Sequence, residues 1–309
     1  MPLPAEVWRT RPRHSNRRPA KARNSSRNLV IAAIALLFVL QLRLVARITT
    51  NDDVSSLDNQ FTVRLNTYQR PLRTVVQHYL SCPQVAQLQV VWSEPAALIP
   101  DWVWSHDDDR LVVEVHDTKS LHNRFQIRTP PPTTAILSTD DDIVASCGSL
   151  AAAFAEWKNA PQQLVGYHLR VHREDDVTMQ WTYHSVPWYR PSYSLTLTKL
   201  AFLHRQYLYS YEQHLPRRIV EYVDEHRNCE DIAMSLWISQ HNDGAAPLSA
   251  PLWALLRQWT IGNAKGISDE PSHAATRNEC LDLFATELGL KGKLQTRRLY
   301  PVWMRKLGW

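Results

Sequence analysis

The sequence predicts an α/β protein with a doubly wound, mostly parallel sheet, preceded by an N-terminal transmembrane anchor. Three observations carry that expectation. From Phe61 onward, short β-prone runs alternate with helical patterns, the rhythm of strand-helix-strand units. One of those runs, Thr133 to Thr139, ends abruptly in Asp140-Asp141-Asp142, and open α/β sheets bind their ligands at the carboxyl ends of the strands. Ahead of them lies Leu29 to Leu40, wholly apolar and continuing to Ala46 with only Gln41 and Arg43 as interruptions.

That apolar run sets the predicted organisation. Leu29 to Leu42 is uncharged, and an Arg43 that snorkels to the interface extends the span toward ~20 residues. No small-x-small cleavage site follows it, and the segment before it is long, so an uncleaved anchor is expected rather than a signal peptide. Residues 1–28 carry eight Lys/Arg against one Glu, which places them in the cytosol and the body in the lumen. The chain therefore divides into a basic tail (1–28), an anchor (29–48), a stem (49–60) and a catalytic body (61–309).

The net charge of +5 disappears once the tail is set aside, because 27 basic and 29 acidic residues remain. A near-neutral body argues against a nucleic-acid partner. The sequon Asn24-Ser25-Ser26 falls on the cytosolic side, so no luminal N-glycan is expected. Four cysteines in a luminal domain form one or two disulfides, and no Cys-x-x-Cys points to zinc or redox chemistry.

Within the body, Phe61 to Leu65 alternates and opens the sheet, and a Pro-initiated helical pattern follows from Pro71 to Leu80. Leu88 to Trp92 and Leu111 to Val115 read as the next strands, then Thr133 to Thr139. Leu150 to Trp157 reads as a helix and Leu164 to Tyr167 as a strand. Ser194 to Thr198 reads as a strand feeding a helix from Ala201 to Tyr211. Asp231 to Gln240 and Ala274 to Leu288 are further helices, the second capped by Ser272.

Three adjacent aspartates repel one another and lose hydration where they are partly buried, so a site that holds them supplies a cation. The run at 140–142 is accordingly expected to bind a divalent metal. Asp107-Asp108-Asp109 and Glu174-Asp175-Asp176 lie in polar surroundings and read as solvated loops. Only eight glycines occur, and none forms a phosphate-cradling motif. Phosphates would thus be held by the metal, which bridges carboxylates and diphosphate oxygens.

An ordered series of segments then resembles the exostosin-like glycosyltransferases of family 64. Thr67-Tyr68-Gln69-Arg70 is similar to the family's nucleotide-binding segment, and Val90-Val91-Trp92 to its second strand. Leu121 to Phe125 looks like its Asn-Arg-Phe loop. Asp140 to Asp142, Val165-Gly166-Tyr167, Leu195 to Thr198 with Ala201-Phe202, and Asn228 to Met234 follow in register, and His273 to Cys280 resembles the closing motif. The resemblance implies a GT-A fold in a type II membrane protein of the Golgi or endoplasmic reticulum. It implies transfer of N-acetylhexosamine from a UDP-sugar, with retention and with Mn2+, to a glycan or glycolipid acceptor. A homodimer or a hetero-complex with other transferases is a further implied partner.

By that resemblance Tyr68 stacks on uracil, while Arg70, Asn123 and Arg124 contact the donor's ribose or diphosphate. Asp140, Asp141 and Asp142 surround metal and donor, with Asp142 the direct ligand and Asp140 beside it. Asp231 stands near the anomeric carbon and Arg277 assists the departing diphosphate. A Cys229–Cys280 disulfide would pin those two residues to one site, whereas Cys82 and Cys147 are left open between free thiols and a second bridge. The sequence departs from the family at Ser93, at Lys199-Leu200 and in His168 to His172, which motivates an alternative: a diverged, non-catalytic binding or folding subunit.

Overall fold

The computed structural model describes residues 59–67, 72–186, 191–261 and 273–299. The basic tail, the predicted anchor at 29–48 and nearly all of the stem lie outside the described residues, as do Tyr68 and Arg70. Among the described residues no helix is long and apolar enough to cross a membrane.

The strands in the first half of the body are β1 (Phe61–Thr67), β2 (Val85–Trp92), β3 (Leu111–Val115), β4 (Ala135–Asp140) and β5 (Ile143–Ala145). They are followed by β6 (Val165–Glu174), β7 (Trp181–Ser185), β8 (Ser192–Tyr193), β9 (Leu195–His204), β10 (Leu248–Ser249), β11 (Gln258–Thr260) and β12 (Arg297–Arg298). The main sheet has the order β10-β6-β9-β4-β1-β2-β3, with β7 paired to β6. Strands β3, β2, β1 and β4 run parallel, and β10 is parallel to β6. The pairings β4–β9, β9–β6 and β6–β7 are antiparallel. The expected parallel half is therefore present, and an antiparallel half adjoins it at β4.

Hydrophobic patterning puts helices on both faces. One core cluster joins Phe61, Val63 and Leu65 to α1 (Leu72–Leu80) and α2 (Cys147–Asn159). The other lies under α3 (Gln206–His214), α4 (Arg217–His226), α5 (Glu230–Gln240) and α6 (His273–Glu287). Residues 230–239 of α5 are all buried, which is why its sequence is apolar around most of its circumference.

On that second face, β1 presents Arg64 instead of an apolar residue. Its guanidinium donates to Gln89 Oε1 at 2.7 Å, Glu114 Oε2 at 2.9 Å and the carbonyls of Gln126 at 2.6 Å and Arg124 at 3.2 Å. A cation 1% exposed is tolerable only with such complete pairing. The network ties the loop after β3 to the sheet.

Two expectations need correction. Ala201 to Tyr211 is not one helix: β9 runs on to His204, and α3 begins only at Gln206. A short apolar run such as Leu200 to Leu203 does not distinguish a buried strand from a buried helix, and the pairing of Ile136, Leu137 and Ser138 with Leu203, Phe202 and Ala201 decides it. Strand β6, expected to stop near Tyr167, alternates to Glu174 and turns into β7. Gly166 marks the closest approach in this half, because a Cβ there would lie 2.1 Å from Thr196 Oγ1.

Both disulfides are formed, so the open question at Cys82 resolves to a bridge with Cys147. Cys82 follows α1 and Cys147 opens α2, while Cys229 caps α5 and Cys280 lies in α6. With 51 residues between its ends, the second bridge restricts the unfolded chain considerably. Replacing Cys229 and Cys280 together by Ala is expected to cost about 2–4 kcal/mol, read from urea unfolding midpoints against the parent chain.

Candidate active site

The site forms where β1 and β4 end. Parallel pairing sets Asn66 opposite Asp140, and the chain then turns through Asp141 and Asp142 into β5. Asp141 turns inward, its Oδ2 accepting from Thr67 Oγ1 at 2.8 Å. The Asp142 carbonyl accepts from Ile261 N at 2.7 Å, continuing the β5–β11 pairing. Asp140 is partly exposed, with its side chain 29% accessible.

Arg124 lies on a 3-10 turn, Leu121–Phe125, capped by the Ser120 side chain. Its Nη2 donates to Asp140 Oδ1 at 2.7 Å and to the Thr198 carbonyl at 3.1 Å, and its Nη1 to Glu230 Oε1 at 3.0 Å. Burial opposes its charge, but Asp140 and Glu230 outweigh burial and hold it cationic. Asn123 is fully buried beside it, its amide donating to Ser93 Oγ at 3.0 Å and to the Thr118 carbonyl at 2.7 Å. Ser93 is one of the places where the sequence reads as departing from the family's pattern.

The second pair stands at the start of α5. Asn228 and Cys229 make a tight entry: Asn228 Oδ1 accepts from Cys229 N at 2.8 Å, and Cys229 holds φ 77°. A left-handed non-glycine residue costs on the order of 1–3 kcal/mol and is retained where the surroundings enforce it. The turn delivers Glu230 and Asp231 together to the first turn of the helix, whose dipole favours negative charge. Arg277 Nη2 donates to Asp231 Oδ2 at 2.9 Å, its Nη1 to Tyr183 Oη at 3.0 Å and its Nε to His273 Nε2 at 3.1 Å.

The adjacent carboxylates are driven apart in acidity. Burial pushes Asp231 up, but the charge and hydrogen bond of Arg277, then Arg124, pull it below the ordinary carboxylate range. Burial and the Asp231 charge push Glu230 up to about 7, against Arg124 and Arg277. The contact with Arg124 alone would lower Glu230; enclosure beside an ionised neighbour wins.

The predicted residues Asp140, Asp141, Arg124, Asp231 and Arg277 therefore belong to one connected set. Glu230 and Tyr183 were not singled out in sequence. Glu230 is visible as the neighbour of Asp231, whereas Tyr183 depends on the β6–β7 hairpin. Of the two other acidic runs, 107–109 lies in a loop, where Asp108 is taken by Arg110; Glu174 ends β6 opposite Trp181, and Asp175 accepts from the backbone of Val177 and Thr178 in the turn that follows.

Among the described residues no three His, Cys, Asp or Glu side chains converge into a closed metal cage. An open site of one or two carboxylates still fits a hard divalent ion that takes its other ligands from water and substrate phosphates. Asp140 and Asp142 supply that donor chemistry.

The structure is thus a mixed α/β fold whose mostly parallel sheet carries the charged pairs at its strand ends. A crystal structure of GalNAc-T7 with UDP, GalNAc and Mn2+ aligns with a TM-score of 0.50 at 12% identity, covering 74% of this chain and 50% of that one. The glycosyl transferase family 64 domain matches residues 61–300, and the chain belongs to that family. It is 32% identical over 261 residues to glycosylinositol phosphorylceramide mannosyl transferase 1 of Arabidopsis thaliana, covering 78% of this chain and 76% of the relative. It is 31% identical to human exostosin-2 over 78% of this chain but only 34% of the relative, so it spans about a third of that protein.

The opposed shifts have opposite consequences for stability. Glu230, raised in the fold, contributes stability that is complete below its ordinary value of 4.5 and is lost as pH rises through about 7. Asp231, lowered, contributes stability above its ordinary value of 3.8 that is lost as pH falls through its folded value. Urea midpoints of Glu230→Gln are expected to fall less than those of the parent between pH 4.5 and about 7. Parallel pH profiles would remove the assignment.

Proposed function

We propose that the chain is a metal-dependent, retaining transferase that moves N-acetylhexosamine, GlcNAc or GalNAc, from a UDP-sugar to a glycan or glycolipid acceptor. In this reading residues 29–48 anchor it in the Golgi or endoplasmic-reticulum membrane with the body luminal, in contact with other transferases or a second copy. The observation that carries the reading is the pair of linked acid–guanidinium contacts, Asp140–Arg124–Glu230 and Asp231–Arg277, in one family 64 domain.

Each residue has a chemical task here. Asp231, kept ionised by Arg277, offsets the positive charge that develops on the donor sugar. Arg277 and Arg124 offer planar donors suited to diphosphate oxygens. Asp140 and Asp142 would hold a Mn2+ ion, which when bound neutralises charge on the leaving diphosphate. Asp141, Asn123 and Ser93 keep the turn and loop in place.

Mannose is a second donor reading, because the Arabidopsis relative named a mannosyl transferase is similar over most of both chains. The full chain in detergent, offered UDP-GlcNAc, UDP-GalNAc and GDP-mannose, separates the donors by nucleotide release. The N-acetylhexosamine reading expects UDP release that needs Mn2+, stops with chelator and gives the retained anomer by proton NMR. Asp231→Asn is expected to lower turnover by roughly 10²–10³-fold, and Asp142→Ala to raise the Mn2+ requirement. Release from GDP-mannose alone selects the second donor, and no release from any donor selects the non-catalytic subunit.

A further inference from the structure

The segment that leads into β11 carries an apolar face that the sheet does not cover. In the short helix Leu252–Leu255 and the turn after it, Trp253 is 53% exposed and Leu256 84%, and Trp259 on β11 is 47% exposed. Trp253 and Leu256 are three positions apart, the spacing that puts side chains on one side of a helical turn. Trp259 meets the edge of the His78 ring at 5.6 Å. Arg257, between them, is exposed, and its side chain makes neither a hydrogen bond nor an ion pair among the described residues.

The backbone under this face is fixed. Ser146 N donates to the Arg257 carbonyl at 2.9 Å and Ser149 Oγ to the Ala254 carbonyl at 3.0 Å, which fastens the segment to the N-terminal end of α2. Trp259 pairs with Val144, and Ile261 N donates to the Asp142 carbonyl, which ties the same segment to the acidic run.

Size and position together say what covers the face. At these exposures the three side chains offer on the order of 400 Å², about half of what each partner gives to a stable protein interface. A second copy of the chain would find too little to hold. A bilayer is different if the body is tethered to it, because the tether raises the effective concentration and a small patch then suffices. In the proposed function residues 29–48 lie in the membrane, which leaves ten residues, 49–58, before the described body begins at Asn59. Ten residues reach at most ~35 Å. Asn59 Oδ1 accepts from Lys158 Nζ at 3.1 Å at the C-terminal end of α2, so the body begins at one end of that helix and the apolar face is fastened at the other. A helix of 13 residues is ~20 Å long, and the face is within the stem's reach of the surface.

Composition agrees. Trp favours the membrane interface, and Arg carries its charge out to headgroup phosphates. Trp104 makes the contrast: it is 62% exposed, but Asp101 lies one turn before it and the acidic run 107–109 follows.

We propose that Trp253, Leu256 and Trp259 insert into the interfacial layer of a lipid bilayer, with Arg257 on the headgroup phosphates, and that this docking sets the 140–142 run at the membrane surface. The tether rests on the anchor in the proposed function, whereas the make-up of the face does not.

The full chain in phosphatidylcholine vesicles, with and without brominated acyl chains, tests it, because bromine quenches the fluorescence of tryptophans that lie in the bilayer. The parent is expected to be quenched, the double variant Trp253→Phe/Trp259→Phe to lose most of that quenching, and Trp104→Phe to lose none. Leu256→Glu keeps every tryptophan and replaces an exposed side chain, and it should also lose most of the quenching, since a carboxylate resists the bilayer. Flotation of the vesicles on a sucrose gradient reads the anchor separately. A parent that floats unquenched, or patch variants quenched as strongly as the parent, overturns the docking and leaves the anchor standing. A parent that floats when Leu256→Glu does not contradicts the anchor and leaves the docking standing, and a parent that never floats overturns both. An unquenched parent that is dimeric in detergent, and monomeric as Leu256→Glu, makes the face an interface between copies and overturns the docking.

Discussion

Arg124 is the interaction on which the site depends. Its guanidinium joins the end of β4 through Asp140, β9 through the Thr198 carbonyl and the start of α5 through Glu230. Three separate elements thereby meet around one cation that is 3% exposed. A buried charge of this kind contributes little net stability against an apolar substitute, but breaking it leaves uncompensated charges at a cost of about 3–5 kcal/mol. It therefore acts mainly by fixing where the carboxylates stand. Arg64 fixes Arg124 in turn, its Nε donating from β1 to the Arg124 carbonyl.

The second pair is built by different means. Asp231 and Arg277 are 46 positions apart in sequence and come together because a disulfide joins the cap of α5 to α6. The strained Cys229 backbone, the Asn228 side chain and the buried α5 all serve to present two adjacent carboxylates at one helix start. Their opposed acidities follow from placement: Arg277 holds Asp231 ionised, whereas burial first and then the Asp231 charge push Glu230 toward neutrality.

The parallel half of the sheet was legible because β1 to β4 alternate or run apolar between clear helical patterns, and the end of β4 was marked by its acids. The antiparallel half was less so. Leu195 to Thr198 alternates, but Leu200 to Leu203 is apolar without a break, so periodicity could not say that the strand continues there, and the β6–β7 hairpin was hidden behind a charged turn. Tyr183 was missed with it. Within the site, the acidic run announced Asp140, and the resemblance to family 64 pointed to Arg124, Asp231 and Arg277, but Asp141 turned toward Thr67 and Asn123 toward Ser93, contacts that need long-range packing to be known. Tyr68 and Arg70 fall outside the described residues, so their expected contacts with the nucleotide stand as sequence readings.

The central claim is that both acid–guanidinium pairs face one nucleotide-sugar site. A crystal structure of the protein with UDP and Mn2+ measures this most directly. The account predicts the diphosphate between Asp140 and Arg277, with the ion on the carboxylates of the 140–142 run. A nucleotide bound elsewhere, with the Asp231–Arg277 pair remote from its phosphates, would contradict it.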